Sequence, residues 1–473
     1  MASNAGRAPR HALNIQAAQG APMAGFGAIF VGFCLVFSIF PLSSLFPHYI
    51  SPLPPAKGTQ PSLSPRLQND LHLSQSTCKA EFSRLYPQLI ANQIAWKSKG
   101  GILYADVKNA ADNCRHGCVH LIIKHGQIFI RAQKKDWQSR VRSTLQLLDK
   151  AYSGASEHEK ALMEATELVI STADFDGFTD PNSRGAGWVL DKRVNDTQGQ
   201  YLFPDFSFAS WPEAGIPSYQ EFRRQAQQVN AETPWKSKTN PAFWRGDALA
   251  GQNIKPRESL LSVATGAGTE TWSDVKRTSF WVSGPSIEKI VSPPEHCRHK
   301  FLIHSEGVAY SGRSKFILSC QSAVVMHALE WEQHFHPALI SDVTSPDQNH
   351  LLLPGSYFEA LPETIKSLIA QEVSSTTALT TGQRIAANAK RTLTDRYLTP
   401  AATACYIRAA LISYSSNLVR TSWPDQQGPK LIEGSGVVPG AGTSKGGLKQ
   451  LGVKGDIELG VWSNLGQPEW PPE

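Results

Sequence analysis

The stretch "EGVAYSGRSKF", Glu306 to Phe316, sets two glycines, two serines and two cations between the apolar runs "KFLIH" and "ILSC". Gly307 and Gly312 permit tight turning and close backbone approach. Ser311 and Ser314 would cap a helix start and bond phosphate oxygens. Arg313 offers a planar fork of the kind that grips a diphosphate. The pattern is not a P-loop, because G-x-x-x-x-G-K-[ST] is absent. The same residues would also make an ordinary strand–helix loop with a solvated Arg-x-Lys pair. A second stretch, "FWRGDALAGQNIKPRESLL", puts Arg245 after two aromatics and before Gly246. A cation so placed is partly desolvated and must face either a ligand or an internal carboxylate. Arg257 and Glu258 open a helix there, the glutamate suiting the helix dipole. In "ELVISTADFDGF", Asp174 and Asp176 follow a strand end. One of them would act as a general base on a hydroxyl, or the pair would hold a divalent metal, or the turn is simply solvated. Cys114 and Cys118, with His116 and His120, have the spacing of half a zinc site, but no second cysteine pair at metal spacing follows.

The elements that must position these groups alternate. From Asn240 onward "AFWRG", "HKFLIHSEG" and "SAVVMH" read as strands, while "KPRESLLSVATG", "SKFILSCQ", "ETIKSLIAQEV" and "TGQRIAANAKRTL" read as helical. That order predicts a parallel sheet with crossover helices. Upstream, "STCKAEFSRLYPQLIANQIAWKSKG", "DWQSRVRSTLQLLDKAYSGA" and "EKALMEATE" have helical character. "VHLIIKHGQIFIR" reads as a hairpin with a His-Gly turn, and "LVIST" as a buried strand ending at the two aspartates. Between the halves, "YLFPDFSFASWPEAGIPSYQEF" is dense in aromatics and proline, a rigid loop suited to packing and to walling a pocket.

The chain has 473 residues, 41% hydrophobic and 18% charged, with a formal net charge of +6. This is the composition of a globular protein, and the small scattered excess of cations excludes a nucleic-acid partner. Residues 1–22 carry Arg7 and Arg10 and no acid, and Met23 to Phe46 carries no charge at all. Such a run suffices to cross a bilayer, and the preceding cations predict a cytosolic tail and a type II signal-anchor. A cleaved signal would have a shorter apolar core and a small-residue cleavage site. Residues 47–75, rich in Pro and Ser at first, would form a stem. Asn195-Asp196-Thr197 is then a lumenal glycosylation sequon. Cys34 lies in the apolar run, and the six remaining cysteines suit disulfides. Residues 423–473 are Gly-rich without core spacing and are expected to be a disordered tail.

Taken in order, "PDFSFASWPE", "FWRG…PRESLL", "KFLIHSEGVAYSGRSKFILSCQSAVV", "EWEQHFHPAL" and "GQRIAANAKRTLTDRYLTPAATACYIRAAL" resemble the glycosyltransferases of the fungal capsule-associated-protein type, glycosyltransferase family 90, which also includes the animal Rumi-type protein O-glucosyltransferases. The resemblance runs from about Glu167 to Leu411. It implies an α/β fold of GT-B type, with two Rossmann-like domains facing a cleft: residues 76–239 for the acceptor and 240–422 for a UDP-sugar donor. It implies a donor site of Arg245, Gly246, Arg257, Gly307, Val308, Ala309, Ser311, Gly312, Arg313 and Glu332. Arg313 matches the arginine on the diphosphate, Arg245 the arginine of the "RG" motif, and Asp174 the catalytic base. The sequence departs here: Ala-Asp-Phe-Asp stands where Rumi-like members have Arg-Asp-Tyr-Pro, so Asp176 stays an alternative base. Cys297 and Cys320 match a family disulfide, and Cys405 a cysteine bonded back to the N-terminal region, with Cys78 as partner. His334 and Glu332 fall in another motif block.

The implied activity is a lumenal transfer of xylose or glucose from a UDP-sugar to a hydroxyl of a glycan or protein, with inversion. Cationic side chains would replace a metal, with manganese at Asp174 and Asp176 as the alternative. Retention by the anchor points to the Golgi rather than the ER, since "PEWPPE" is not a Lys-Asp-Glu-Leu signal. Two other readings remain at this level: a non-catalytic glycan-binding protein of the same fold, and a hydrolase with zinc at the Cys114 cluster.

Overall fold

The computed structural model describes residues 59–424 and 457–459, apart from short segments at 176–177, 179–184, 217, 249–253, 280–283, 285–286 and 376–377. The tail 1–22, the apolar run Met23 to Phe46, the start of the stem and Asp176 lie outside the described residues. Among the described residues no helix is long and apolar enough to cross a membrane.

The first part of the chain folds as α1 (Pro65–Asn69), α2 (Gln75–Glu81), α3 (Pro87–Ser98), α4 (Tyr104–Asn113), β1 (Cys118–Lys124), β2 (Gln127–Gln133), α5 (Gln138–Ser153), α6 (Glu157–Met163), β3 (Thr166–Ser171), β4 (Lys192–Arg193) and α7 (Tyr219–Glu232). The expected hairpin is present: β1 and β2 pair antiparallel across His125-Gly126, both at positive φ. Two such residues make the tight turn whose twist suits paired strands. β3 then pairs antiparallel with the other edge of β1. This sheet is therefore antiparallel, whereas a Rossmann-like half was expected to be parallel. For β1 and β2 the two-residue turn is the reason, since parallel neighbours need a long crossover. The far edge of β2 is covered by β11 (Ile457–Glu458), a short strand within the stretch expected to be a disordered tail.

The second part runs β5 (Ala242–Gly246), α8 (Lys255–Ala264), β6 (Ser273–Arg277), β7 (Phe301–His304), α9 (Ser314–Leu318), β8 (Ala323–Met326), β9 (Trp331–Glu332), β10 (Leu351–Leu352), α10 (Leu361–Ser374), α11 (Thr381–Asn388), a π-helical stretch over Ala389–Tyr397, and α12 (Pro400–Ser416). As the strand–helix alternation predicts, five of its strands form a parallel sheet in the order β10-β8-β7-β5-β6. Its central strands, "FLIH" and "AVVM", are buried throughout, which is why they read as unbroken apolar runs.

Two observations bear on the expected boundaries. Within the stem, α1 is capped by Ser64 and lies on the fold: Leu63 and Leu73 are buried, and Arg396 donates to the Pro61 carbonyl. The apolar side chains there give that half of the stem a reason to pack rather than stay free. At the other end α12 packs against α5, α6 and α3. Disulfides join Cys78 to Cys405 and Cys297 to Cys320, as the resemblance implies. Cys114 and Cys118 are bonded to each other. That corrects the zinc reading, since their sulfurs are used up, while His116 meets Asp136 and His120 meets Glu167.

Candidate active site

A cavity of about 290 Å³ opens at the carboxyl ends of β5 and β7, where open α/β sheets bind ligands. Of the residues singled out in the sequence, it is lined by Asp174, Arg245, Gly246, Arg257, Gly307, Val308, Ser311, Gly312 and Arg313. These come from segments up to 139 positions apart in the chain (Asp174 to Arg313), brought together by the end of β3, β5, the start of α8 and the β7–α9 loop. Ala309 is fully buried beneath that loop, its carbonyl accepting from the Gly307 amide. Glu332 is elsewhere, on β9, opposite and 3.5 Å from Lys192 of β4. His334 is fully buried against Phe208 and Tyr406. Asn195 is exposed beyond β4, an accessible position for a glycan.

The arginines have different fates. Arg245 makes two bonds to the Asp274 carboxylate, at 2.8 and 3.0 Å, and lies over the Phe243 ring. It thus realises the internal-carboxylate alternative while its side chain still edges the cavity. Arg257 is held by carbonyls, donating Nε to Glu306 at 2.9 Å and Nη1 to Asp247. Its guanidinium forms no ion pair with a carboxylate among the described residues. Burial lowers it to about 10. Arg313 has neither a hydrogen bond nor an ion pair to a described residue, and its guanidinium stands 5.6 Å from the centroid of the Trp244 ring. Burial and the neighbouring Arg257 push it down to about 9. Both groups remain charged at neutral pH. The Asp247 carboxylate partly offsets the charge of Arg257, while Arg313 has no carboxylate partner among the described residues, so this part of the cavity suits an anion.

The backbone around them is tight. A methyl group on Gly246 would meet the Trp244 ring at 2.6 Å and Arg313 Nη2 at 3.0 Å. One on Gly307 would meet Arg257 Nη2 at 3.0 Å. Ser314 is not a cap: its hydroxyl donates to Gln333 Oε1 at 3.2 Å, and Ser311 uses its carbonyl to accept the Ser314 amide.

Several residues at the site escaped the sequence reading. Lys315, taken with Arg313 as a cation pair, is fully buried and donates to Asp205 Oδ2 at 2.5 Å. Asp205, from "PDFSF", also accepts from the Ser207 amide and hydroxyl at 2.7 and 2.6 Å. Burial pushes the Asp205 carboxyl up, but the Lys315 ammonium and the Ser207 donors bring it below the ordinary range. The pair clamps the aromatic loop to α9 and sets Phe206 and Trp211 into the cavity wall, as the loop's composition suggested. Tyr310 lines the cavity with its hydroxyl kept protonated by burial and by Asp205, Asp174 and Asp191. His296 lines it as a neutral group, lowered to about 3 by burial and Arg313. A buried acid within a loop of aromatics was the one available signal for Asp205. Nothing local marks Tyr310 or His296.

Asp174, which follows β3, lines the same cavity. Its side chain is one-third exposed and meets Arg140 Nη1 at 2.8 Å. Burial raises its carboxyl, and Arg140 works against that rise. A carboxylate moved toward neutrality is suited to taking a proton. The cavity therefore combines a cationic end, an apolar wall and an acid that can exchange a proton.

The model of glycosyl transferase family 90 matches residues 74–345. Protein O-glucosyltransferase 1 of Homo sapiens is 28% identical over 150 residues, 29% of this chain and 37% of that protein. The O-glucosyltransferase rumi of Drosophila melanogaster is 25% identical over 191 residues, 38% of this chain and 46% of that protein. The chain thus spans less than half the length of these curated relatives.

Proposed function

Because the chain belongs to glycosyl transferase family 90, we propose that it transfers a sugar, xylose or glucose, from a UDP-sugar to a hydroxyl of a glycan or protein acceptor. The observation that carries this reading is the pairing, in one cavity, of an uncompensated Arg313 with the acid Asp174. In the proposed step the acceptor oxygen attacks the anomeric carbon, the carbon–oxygen bond to UDP breaks with its electron pair leaving on the diphosphate, and the acceptor proton passes to Asp174. Arg313 and Arg257 offset the charge that develops on the departing diphosphate. Attack from the face opposite the leaving group inverts the anomeric carbon. The two arginines take the place of a divalent metal, so turnover is expected to survive chelation. The likeness to human protein O-glucosyltransferase 1 and to the fly O-glucosyltransferase favours glucose as the sugar and, from the human enzyme, a protein acceptor.

The same reading takes residues 76–239 and 240–422 as the two halves of a GT-B cleft. It takes Met23 to Phe46 as a type II anchor holding the catalytic part in the lumen of the Golgi or ER. The exposed Asn195 and the three disulfides suit that compartment.

The test is release of UDP from UDP-glucose and UDP-xylose by the purified chain, with and without chelator. Turnover unaffected by chelator and reduced at least roughly a hundredfold in Asp174→Asn is expected from loss of a general base. Full turnover by Asp174→Asn, or manganese-dependent turnover, contradicts the assignment.

A further inference from the structure

We propose that Arg140 is the positioning residue for Asp174, aiming its carboxylate into the cavity from a stack of side chains anchored on the Cys114–Cys118 loop; this rests on the reading of Asp174 as the base. Arg140, in the first turn of α5, donates Nη1 to Asp174 Oδ1 at 2.8 Å and to the Thr172 carbonyl at 3.5 Å. Its guanidinium carbon lies 4.4 Å from the centroid of the Trp137 ring and 4.7 Å from that of Phe206, a wall residue of the cavity. Cation–π contacts on two aromatics leave a planar cation little freedom.

The stack continues outward. Trp137 has left-handed backbone angles, φ 51° and ψ 37°. For a bulky side chain that is a strained choice, of the kind found where a site demands it. Its ring stacks on His116 at 5.3 Å, and His116 Nδ1 meets Asp136 Oδ2 at 2.8 Å. The loop carrying His116 is closed by the Cys114–Cys118 disulfide and seated on the end of β3. Ser171 Oγ donates to the His116 carbonyl at 3.0 Å, and the Thr172 amide donates to the Gly117 carbonyl at 3.1 Å. At Gly117, with φ +55°, a methyl would fall 1.9 Å from Thr172 Oγ1. The segment delivering Asp174 and the stack holding Arg140 are thus fixed to one short loop.

The groups facing Asp174 are Arg140 from α5, Asp205 and Glu213 from the aromatic loop, Asp191, and Tyr310 from the β7–α9 loop. The carboxylates disfavour its ionised form, and Arg140 favours it. Removing Arg140 therefore moves the titration of Asp174 to higher pH.

The experiment compares the full chain with Arg140→Gln and Arg140→Lys in two readouts. One is the pH profile of kcat/KM for UDP release. The other is the carboxylate ¹³C titration of Asp174 in aspartate-labelled protein, assigned by its loss in Asp174→Asn. Arg140→Gln is expected to shift both the acidic limb and the Asp174 titration upward by about one unit or more. Turnover then falls roughly tenfold below the limb and recovers as pH rises, with KM for the UDP-sugar unchanged. Arg140→Lys keeps the charge and restores most of the profile. An unmoved limb and titration, or a loss confined to KM, overturns the proposal. A parent chain with no turnover of any UDP-sugar would sink the function proposed above. In that case the Asp174 titration still decides: a shift in Arg140→Gln supports the pairing, and an unmoved one overturns it.

Discussion

Arg245 and Arg313 are the same residue type beside the same cavity, and their neighbours give them opposite tasks. The register of β5 on β6 places Phe243 opposite Asp274, and Arg245 folds back over Phe243 to reach that carboxylate. Its charge is met inside the protein. Arg313 has the Trp244 ring and Arg257 as neighbours and no carboxylate partner among the described residues. The sequence signalled desolvation for Arg245 and left Arg313 open between a diphosphate grip and a solvated loop. It held no sign of which one a strand neighbour 29 residues away would neutralise. The glycines around them differ in the same way. Gly246→Ala drives a methyl into the Trp244 ring and Arg313, and should cost about 1–3 kcal/mol and weaken UDP binding. Gly312→Ala has nothing nearer than 3.5 Å, from Trp211, and should leave the melting temperature unchanged. Calorimetric melting of the two variants checks this; equal losses would show that the contacts around Gly246 are not as described.

At the scale of elements, the strand–helix order after Asn240 was legible because a parallel sheet covered on both faces writes itself as unbroken apolar strands. The β1–β2 hairpin was legible from its His-Gly turn. The linkage of the aromatic loop to α9 was not, because the Lys315–Asp205 bond spans 110 residues and obeys no periodicity. Both partners are fully buried, so removing one leaves an uncompensated charge. Asp205→Asn should therefore destabilise the chain by roughly 3–5 kcal/mol. The pH dependence follows from the lowered carboxyl of Asp205. Such a group stabilises the fold above its unfolded value near 4, and that stabilisation is lost as pH falls through the still lower folded value. Denaturant unfolding at neutral and acid pH reads both effects. Wild type should lose stability on acidification and converge toward Asp205→Asn. A gap between them that stays constant down to strongly acid pH would rule out the ion pair as its source.

At the scale of the whole molecule, the last helix follows the second part in sequence but packs on the helices of the first. Arg408 of α12 donates to the carbonyls of Leu71, Leu73 and Gly154, and the Cys78–Cys405 bond ties α12 to α2. The motif order made that closure legible only as a cysteine with a distant partner. Asp174, from the first part, and Arg313, from the second, line one cavity. In the proposed reaction this cavity binds the diphosphate of a UDP-sugar through Arg313. The direct measurement is calorimetric titration of UDP into the purified chain and into Arg313→Ala. Loss of charge-assisted bonds worth about 1.5–3 kcal/mol predicts at least a roughly tenfold weaker Kd in the variant, with an unchanged melting temperature. Absence of UDP binding to the parent, or equal affinity in the two proteins, would contradict it.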